Sequence, residues 1–281
     1  HKYEILILRF SHKIDKQIIN KAKNLKLVAT NATGTDHVDV KYLNMKGINF
    51  LSLQGEEKFM KKITASAEHT WGLVLALIRF IPHAYNDVLS YNWNREKYIG
   101  EQLYKKNIGI IGYGRNGEKI SKIARSFGMK IFYFDKMKNS RKLRKNISRC
   151  NTIEKLFKVS DIIVLTLALT DETRGLINKS NMKLMKKDSY IINTSRGEII
   201  NERDLLDFLR KKRIKGAALD VLHNESKKNF MKTSKLINYA KKHDNLLITP
   251  HIAGVTKDSW LLSEVFIAKK IRKFIQNAEQ K

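Results

Sequence analysis

Three side chains that could perform acid–base chemistry follow three apolar segments in the C-terminal half of the chain. Arg196, Glu225 and His251 each lie just beyond one segment. The segments are Tyr190–Asn193, Ala217–Leu219 and Leu246–Thr249. A guanidinium can bind a carboxylate through two parallel hydrogen bonds, and a histidine can exchange a proton with a carbonyl oxygen near neutral pH. A carboxylate beside the histidine would fix its tautomer and stabilise its charged form. These residue types suit hydride transfer to a 2-keto acid.

A glycine-rich turn follows the apolar segment Asn107–Ile111 and opens a helical segment. Its glycines are Gly112, Gly114 and Gly117, at the spacing of a dinucleotide-binding turn. The first permits the tight turn, the second lets the backbone approach a pyrophosphate, and the third lets helix and strand pack closely. The helix N-terminus would bind the phosphates through its N–H groups and its dipole. A plain strand-to-helix turn is the alternative, but the sequence context favours a dinucleotide.

Asp135 ends the next apolar segment and indicates which dinucleotide is bound. A carboxylate at this position accepts hydrogen bonds from the adenosine ribose and repels the 2′-phosphate of NADP. NAD is therefore the expected cofactor, although Lys136, Lys138 and Arg141 follow directly and could offset the repulsion. Cys150 is the only cysteine, which excludes an internal disulfide and a cysteine-based zinc site; no metal is expected.

The order of apolar and amphipathic segments predicts an α/β fold. Six continuous apolar segments alternate with helical patterns such as Glu202–Arg210, which is typical of a doubly wound parallel sheet covered on both faces. The six are Asn107–Ile111, Lys130–Phe134, Ile162–Leu167, Tyr190–Asn193, Ala217–Leu219 and Leu246–Thr249. Ligands of such sheets bind at the carboxyl ends of the strands, so Arg196, Glu225 and His251 should converge there. Taken singly, each could equally be a surface or core residue. The basic stretch Lys136–Cys150 is predicted to be a mobile loop.

The N-terminal part of the chain predicts a second, smaller sheet. Its strand-like segments are Tyr3–Leu8, Leu25–Thr30 and Ile48–Leu51. A long helix over Ser66–Phe80 would link two domains, and an amphipathic helix over Trp260–Ile275 could return to the first. We therefore expect a discontinuous substrate-binding domain, residues 1–66 plus 255–281, and an NAD-binding domain, residues 67–254.

The strongly basic composition has two interpretations. The formal net charge is +28, and lysines outnumber arginines 41 to 14. No nucleic-acid-binding motif accompanies this charge, so a solvated basic surface is favoured over nucleic-acid binding. The longest apolar run, Trp71–Ile78, is far shorter than the ~20 residues of a membrane span, and no secretory signal is visible. A soluble, cytoplasmic protein that does not bind membranes is expected.

Five motifs resemble those of the D-isomer-specific 2-hydroxyacid dehydrogenase family. They are AEHT at 67–70, GIIGYG at 109–114, NTSRGE at 193–198, GAALDV at 216–221 and TPHIAG at 249–254. The resemblance implies two Rossmann-like, doubly wound domains. It also implies an N-terminal truncation, because the family normally has another strand and helix before the equivalent of Tyr3 and the chain opens at His1. A homodimer built around the Ser66–Phe80 helix is implied as well; Trp71 and Leu75 on this helix could serve an interface or the core.

The resemblance also assigns the site residues. The family's catalytic arginine, acid and histidine fall on Arg196, Glu225 and His251. The implied substrate contacts are Arg9, Thr33 and Gly34. The implied cofactor contacts are Gly112, Gly114, Arg115, Asn116, Gly117, Asp135, Thr194, Ser195, Asp220 and Gly254. Ser226 stands where a proline usually follows the catalytic acid, so that loop could be set differently. His69 is expected to serve packing or an interface.

The expected activity is NAD-dependent hydride transfer at C2 of a small D-2-hydroxy acid or 2-keto acid. His251 and Glu225 would be the acid/base pair, and Arg196 would bind the substrate carboxylate. Three alternatives remain open. The substrate could be 3-phosphoglycerate specifically, the chain could be a non-catalytic NAD-sensing relative of the corepressor kind, or it could act on formate, which would make the Glu225–His251 pair surplus.

Overall fold

The chain folds into two compact α/β units. The computed structural model describes residues 2–9, 13–136 and 146–279. Contacts between Cα atoms divide the chain into His1–Ile63 with Val255–Lys281, and Thr64–Gly254. One unit contains a three-stranded and the other a seven-stranded parallel sheet, which confirms the predicted fold class. Lys138 and Arg141, the cations that could offset phosphate repulsion, lie outside the described residues.

The first unit is built on a parallel sheet with the strand order β1-β2-β3. Its elements are β1 (Ile5–Leu8), α1 (Lys16–Lys21), β2 (Leu27–Thr30), α2 (Val40–Met45), β3 (Asn49–Leu51) and α3 (Glu57–Met60). Successive side chains of a strand point to opposite faces. Val28 therefore packs in the cluster with α1 and α2, whereas Leu27 packs in the cluster with the C-terminal helix, Lys257–Glu279. The loop after β2 carries Thr33 and Gly34.

The second unit is a doubly wound sheet of seven parallel strands. The strands are β4 (Asn107–Ile111), β5 (Lys130–Phe134), β6 (Ile147–Arg149), β7 (Ile162–Leu165), β8 (Tyr190–Asn193), β9 (Gly216–Leu219) and β10 (Leu246–Ile248). Their order in the sheet is β10-β9-β8-β7-β4-β5-β6. The chain winds outward from β4 through β5 to β6 and then returns to β7 on the other side of β4. Ligands of such sheets bind at the carboxyl ends beside this reversal.

Helices cover both faces of the seven-stranded sheet. The helices of this unit are α4 (Ala65–Ile78), α5 (Ile81–Leu89), α6 (Arg115–Ser126), α7 (Ile153–Val159), α8 (Lys179–Met182), α9 (Glu202–Arg210), α10 (Phe230–Thr233) and α11 (Lys235–Ala240), with 3-10 turns at Arg95–Tyr98 and Gly197–Ile199. Ile163 of β7 packs in one core cluster with Leu205 of α9. Its neighbour Val164 packs in the opposite cluster with Val74 of α4. The central strands are therefore buried on both sides, which is why they are continuous apolar runs.

The predicted loop Lys136–Cys150 is wrong at its C-terminal end, which contains strand β6, and residues 137–145 of it lie outside the described residues. Ile147–Arg149 pairs with Ile131–Tyr133 of β5. The strand is short, lies at the edge of the sheet and has only Ile147 as an apolar residue, with Ser148 exposed. An edge strand of this length carries too little hydrophobic pattern to be recognised from sequence.

Trp71 and Leu75 of α4 belong to the core of the second unit. Trp71 is only 6% exposed, and its ring lies 4.8 Å from that of Phe127. Leu75 is partly buried against the same cluster. Of the two roles left open by the sequence, core packing is the one that the described contacts support. No helix in the described part of the chain is long and apolar enough to cross a membrane.

Glu101 contacts three residues at the edge of the seven-stranded sheet at which the strands begin. Its carboxylate accepts hydrogen bonds from Lys215 and from the Tyr190 hydroxyl at 3.0 Å, and it pairs with Lys106 at 2.5 Å. Burial alone would raise the pKa of Glu101, but the hydrogen bonds from these three residues outweigh it and lower the pKa from 4.5 to about 2. As the pH falls below about 4.5, the carboxylate of Glu101 therefore stays charged in the folded chain at pH values at which it is already protonated in the unfolded chain.

We expect Glu101→Gln to lower the free energy of unfolding by about 1–3 kcal/mol at neutral pH, because two lysines lose their charged partner. The stabilisation by Glu101 is present above the unfolded pKa and is lost as the pH falls from about 4.5 towards 2. Urea denaturation at pH 7, 4 and 2.5 measures the effect. The difference between wild type and variant should shrink with each step, and a constant difference would contradict the prediction.

Candidate functional site

The three glycines of the turn after β4 differ in the space around them. Gly112 has a φ of 89°, and a Cβ there would lie 2.9 Å from the carbonyl oxygen of Thr166. A Cβ on Gly117 would lie 2.5 Å from the carbonyl oxygen of Gly112. By contrast, a Cβ on Gly114 would meet no atom within 4 Å. The first and third glycines are therefore required by the fold, whereas Gly114 faces open space, as a residue that cradles a ligand should.

The residues around this turn fit a dinucleotide. Gly114 caps the N-terminus of α6, whose first residues are Arg115 and Asn116. Asp135, at the end of the adjacent strand β5, accepts a hydrogen bond of 2.6 Å from the Tyr113 N–H. The turn thus combines open space, a helix N-terminus for phosphates and a carboxylate at the ribose-reading position.

We expect Gly114→Leu to weaken NADH binding at least about tenfold without lowering the melting temperature. The backbone at Gly114 has a φ of −82°, which any residue adopts, and the added side chain meets nothing in the protein. Fluorescence titration with NADH and thermal denaturation are the two measurements. Gly117→Leu is the matched control, and it should destabilise the fold itself. A loss of stability in Gly114→Leu would show that this glycine is structural.

Glu225 and His251 are in direct contact, as the sequence predicts for an acid/base pair. The His251 Nδ1 atom is hydrogen-bonded to Glu225 Oε1, and Glu225 Oε2 accepts the Leu222 N–H at 3.1 Å. His251 adopts a left-handed backbone with a φ of 54°, which is costly for a residue with a side chain. Its N–H donates to the Asp220 carbonyl oxygen at 2.8 Å, which helps to hold this conformation. Strain of this kind is typical of functional positions.

Asp220 holds the loop that carries His251. It is 1% exposed, and its carboxylate accepts the N–H groups of Ile252 and Ala253 at 2.9 and 2.8 Å and the Thr249 hydroxyl at 2.6 Å. Burial alone would raise the pKa of Asp220, but hydrogen bonds from His69, Thr249 and the two N–H groups outweigh it and lower the pKa. The carboxylate therefore favours its charged form, and its oxygens are occupied by hydrogen bonds from the loop that carries His251. A contact between Asp220 and the cofactor stays a prediction.

His69 belongs to this polar network, a role that the sequence did not reveal. Its Nε2 atom lies 3.1 Å from the Thr249 hydroxyl and 3.3 Å from Asp220 Oδ1. The next residue, Thr70, shares a hydrogen bond of 2.7 Å with Thr194. The first turns of α4 thus support the loops after β8 and β10. The only sequence signal was the motif AEHT, in which three consecutive polar residues interrupt a helix that is apolar over Trp71–Ile78.

The turn that carries Arg196 is fixed from both ends. Asn193 accepts the Ser195 N–H at 3.0 Å and donates to the Arg196 carbonyl oxygen at 2.9 Å. The Ser195 hydroxyl donates to the carbonyl oxygen of Leu165 at 2.7 Å, so this side chain serves the sheet. The guanidinium itself donates to the Ser195 carbonyl oxygen at 2.8 Å. Arg196 is thereby oriented by its own turn.

Gly197 brings this turn against the loop of Glu225. A Cβ on Gly197 would overlap the peptide that joins Leu222 and His223. Only a glycine therefore allows the two loops to approach each other so closely. The structure thus brings Arg196 next to the loop that holds the Glu225–His251 pair.

The remaining predicted residues belong to the first unit or to the end of the second. Arg9, Thr33 and Gly34 belong to the first unit. There the Arg9 guanidinium pairs with Glu264 and lies 4.9 Å from the ring of Trp260. Gly254 is the last residue of the second unit. A Cβ on Gly254 would lie 3.9 Å from a serine hydroxyl, which is an ordinary van der Waals contact. Within residues 2–9, 13–136 and 146–279, no group of three histidine, cysteine or acidic side chains could hold a metal ion.

Comparison with known proteins agrees with this geometry. The NAD-binding domain of the D-isomer specific 2-hydroxyacid dehydrogenases matches residues 71–253. The chain is 32% identical over 274 residues to the D-3-phosphoglycerate dehydrogenase of Bacillus subtilis, an alignment covering 98% of this chain and 50% of that protein. It is 33% identical over 270 residues to the hydroxypyruvate reductase of Thermotoga maritima, covering 96% of this chain and 84% of that protein. The chain therefore spans about half the length of the curated D-3-phosphoglycerate dehydrogenases it matches.

A solved structure shows the same fold with ligands bound. The D-lactate dehydrogenase of Aquifex aeolicus, in complex with NAD and lactic acid, aligns with a TM-score of 0.86 at 27% identity. The alignment covers 99% of this chain and 85% of that chain. Together with the domain match over more than half of the sequence, this shows that the chain belongs to the D-isomer-specific 2-hydroxyacid dehydrogenase family.

Proposed function

We propose that the protein is an NAD-dependent dehydrogenase that interconverts a small D-2-hydroxy acid and its 2-keto acid. The observation that carries the proposal is the contact between His251 and Glu225, beside the Arg196 turn. All three follow strands whose carboxyl ends lie at one edge of the sheet, and the glycine turn lies at that same edge. A proton-exchanging group, a carboxylate-binding group and a dinucleotide cradle therefore share one edge.

The catalytic roles follow from the chemistry of these side chains. The nicotinamide cofactor, when bound, would take up a hydride from C2 in its oxidised form, NAD+, and supply one to C2 in its reduced form, NADH. Arg196 would bind the substrate carboxylate through its planar fork. His251, held at Nδ1 by Glu225, would use Nε2 to donate a proton to the carbonyl oxygen during reduction and to accept it during oxidation. Glu225 would fix the tautomer of the imidazole and stabilise its charged form.

Residues 1–66 plus 255–281, which include the whole first unit, are proposed to form the substrate-binding domain, and residues 67–254 the NAD-binding domain. Arg9 and the backbone of Thr33 and Gly34 would contribute the substrate contacts. Support for this proposal comes from the family resemblance and from the loop positions at the ends of β1 and β2. The presence or absence of a phosphate on C3 of the substrate distinguishes 3-phosphoglycerate from an unphosphorylated 2-hydroxy acid.

We also propose a homodimer. The segment that follows α4 exposes a series of large apolar side chains, with Tyr91 fully and Trp93 87% exposed. Others in the same segment are Ile81, Tyr85, Leu89 and Ile99. Contiguous exposed apolar residues of this kind mark interaction surfaces. Sedimentation equilibrium should give twice the chain mass, and a monomer at micromolar concentration would contradict the dimer.

A screen of 2-keto acids with NADH tests the activity. Oxidation of NADH is followed by its absorbance, with glyoxylate, hydroxypyruvate, pyruvate and 3-phosphohydroxypyruvate as substrates. We expect turnover with at least one of them. Turnover with 3-phosphohydroxypyruvate alone would identify the phosphoglycerate alternative. NADH binding without any turnover would instead favour the non-catalytic, corepressor-like alternative.

We expect NADH to give a higher kcat/KM than NADPH. The carboxylate of Asp135 would repel a 2′-phosphate, and the nearby Lys136 is paired with Glu172 at 2.7 Å. Measuring both cofactors with the best substrate of the screen decides the question. Equal kcat/KM values would contradict the prediction and would implicate Lys136 or Arg141 as phosphate ligands.

A further inference from the structure

The contact between Glu225 and His251 depends on one short stretch of backbone. Glu225 Oε1 is bound by the histidine ring, and Oε2 accepts the N–H of Leu222 at 3.1 Å. The side chain of Glu225 thus folds back on its own loop. The bound N–H belongs to the Val221–Leu222 peptide, so any displacement of the backbone at Leu222 would move the carboxylate away from the histidine.

A second carboxylate, Glu202, holds the next peptide, Leu222–His223, on the other side of the Leu222 Cα. The His223 N–H donates to Glu202 Oε1 at 2.7 Å. Gly197 contacts the peptide from the turn of Arg196, where no Cβ could be accommodated. The N–H groups of two consecutive residues, Leu222 and His223, are therefore taken by two different carboxylates, one from within the loop and one from outside it.

Glu202 is well suited to act as an anchor. It is the first residue of α9, which is fixed in the core by the buried residues Leu205, Leu206, Phe208 and Leu209. A negative side chain is also favoured at a helix N-terminus. Anchors on a packed helix hold a geometry more accurately than anchors on a loop.

The His223 N–H needs a hydrogen-bond acceptor at position 202. Burial raises the pKa of Glu202; the hydrogen bond from His223 opposes this, whereas the nearby negative charges of Glu198 and Glu225 add to it. A carboxyl that resists ionisation still accepts a hydrogen bond through its carbonyl oxygen. A glutamine could make the same bond.

We propose that Glu202 is a positioning residue that holds the Leu222–His223 peptide and thereby keeps Glu225 in contact with His251. The proposal rests on the proposed function of this pair. The first turn of α9 thereby takes part in the reaction through the hydrogen bond from the His223 N–H to Glu202.

Four variants test the proposal. Glu202→Ala and Glu202→Asp both remove the acceptor from its place, the second while keeping the charge. Each should lower kcat about tenfold to hundredfold, because small displacements of catalytic groups have effects of this size, with the KM for NADH unchanged. Glu202→Gln should keep kcat near the wild-type value. Asp207→Ala is the control on the same helix, because Asp207 forms an ion pair with Lys211. This substitution should leave kcat unchanged.

A double variant shows through which residue Glu202 acts. In a Glu225→Gln background, Glu202→Ala should cause little further loss, because effects through a shared partner are not additive. The proposal is overturned if Glu202→Ala retains wild-type kcat, if Glu202→Gln is as slow as Glu202→Ala, or if the losses from positions 202 and 225 multiply.

Hydrogen exchange separates this inference from the proposed function. The His223 amide should exchange faster in Glu202→Ala than in wild type and at the wild-type rate in Glu202→Gln. This measurement needs no substrate. If wild type reduces no 2-keto acid, the proposed function fails, and the exchange rates still decide whether Glu202 holds the loop. Unchanged exchange in Glu202→Ala would overturn the positioning role.

Discussion

Replacing His251 with glutamine should lower kcat about 10³-fold in both directions of the reaction. Positioned acid–base catalysis contributes about 10²–10⁴-fold to enzymatic rates, and glutamine cannot exchange a proton. The imidazole is fixed by Glu225 at Nδ1, and its backbone is fixed by the hydrogen bond to the Asp220 carbonyl oxygen. The loss should therefore be chemical, with NADH affinity and melting temperature close to those of wild type.

Steady-state rates for keto-acid reduction and hydroxy-acid oxidation provide the measurement. His243→Gln is the matched control, because this exposed histidine stacks on Tyr239 and lies outside the catalytic loop. It should leave both rates unchanged. A loss of less than about tenfold in His251→Gln would mean that another group moves the proton.

The sequence was sufficient to predict the strands that place the proposed catalytic residues. Long, buried strands such as β7 and β8 leave a strong hydrophobic pattern, and the residues that follow such strands meet at one edge of the sheet. The convergence of Glu225 and His251 could therefore be expected before any contact was known. Strand β6 was missed because Ile147 alone cannot form such a pattern.

The supporting network could not be predicted, because it depends on contacts between segments far apart in the chain. Nothing in the local sequence shows that Asp220 accepts N–H groups from the loop of His251, or that Gly197 must leave room for another backbone. His69 had a plausible role in packing until its contacts with Thr249 and Asp220 were seen. The types of residue in the sequence indicate the chemistry of the site, whereas the hydrogen bonds and backbone contacts that hold these residues are visible only in the folded chain.

The second large effect is expected for Arg196→Lys. Lysine keeps the positive charge but loses the planar fork that binds both oxygens of a carboxylate. The guanidinium is already oriented by its hydrogen bond to the Ser195 carbonyl oxygen. A lysine ammonium could not make this bond and at the same time bind a substrate carboxylate in the plane that the guanidinium occupies. We expect kcat/KM for the keto acid to fall about 10²–10³-fold, since charged hydrogen bonds contribute about 1.5–3 kcal/mol each.

NADH binding separates a substrate role of Arg196 from a structural one. The Asn193 amide holds the turn through the backbone of Ser195 and Arg196, and these bonds do not involve the guanidinium. The turn should therefore survive the substitution, and fluorescence titration should give a Kd for NADH near that of wild type. Arg203→Lys, at an exposed position of α9, is the control and should match wild type in every measurement. A parallel collapse of cofactor affinity in Arg196→Lys would mean that the guanidinium supports the fold of the turn instead of binding the substrate.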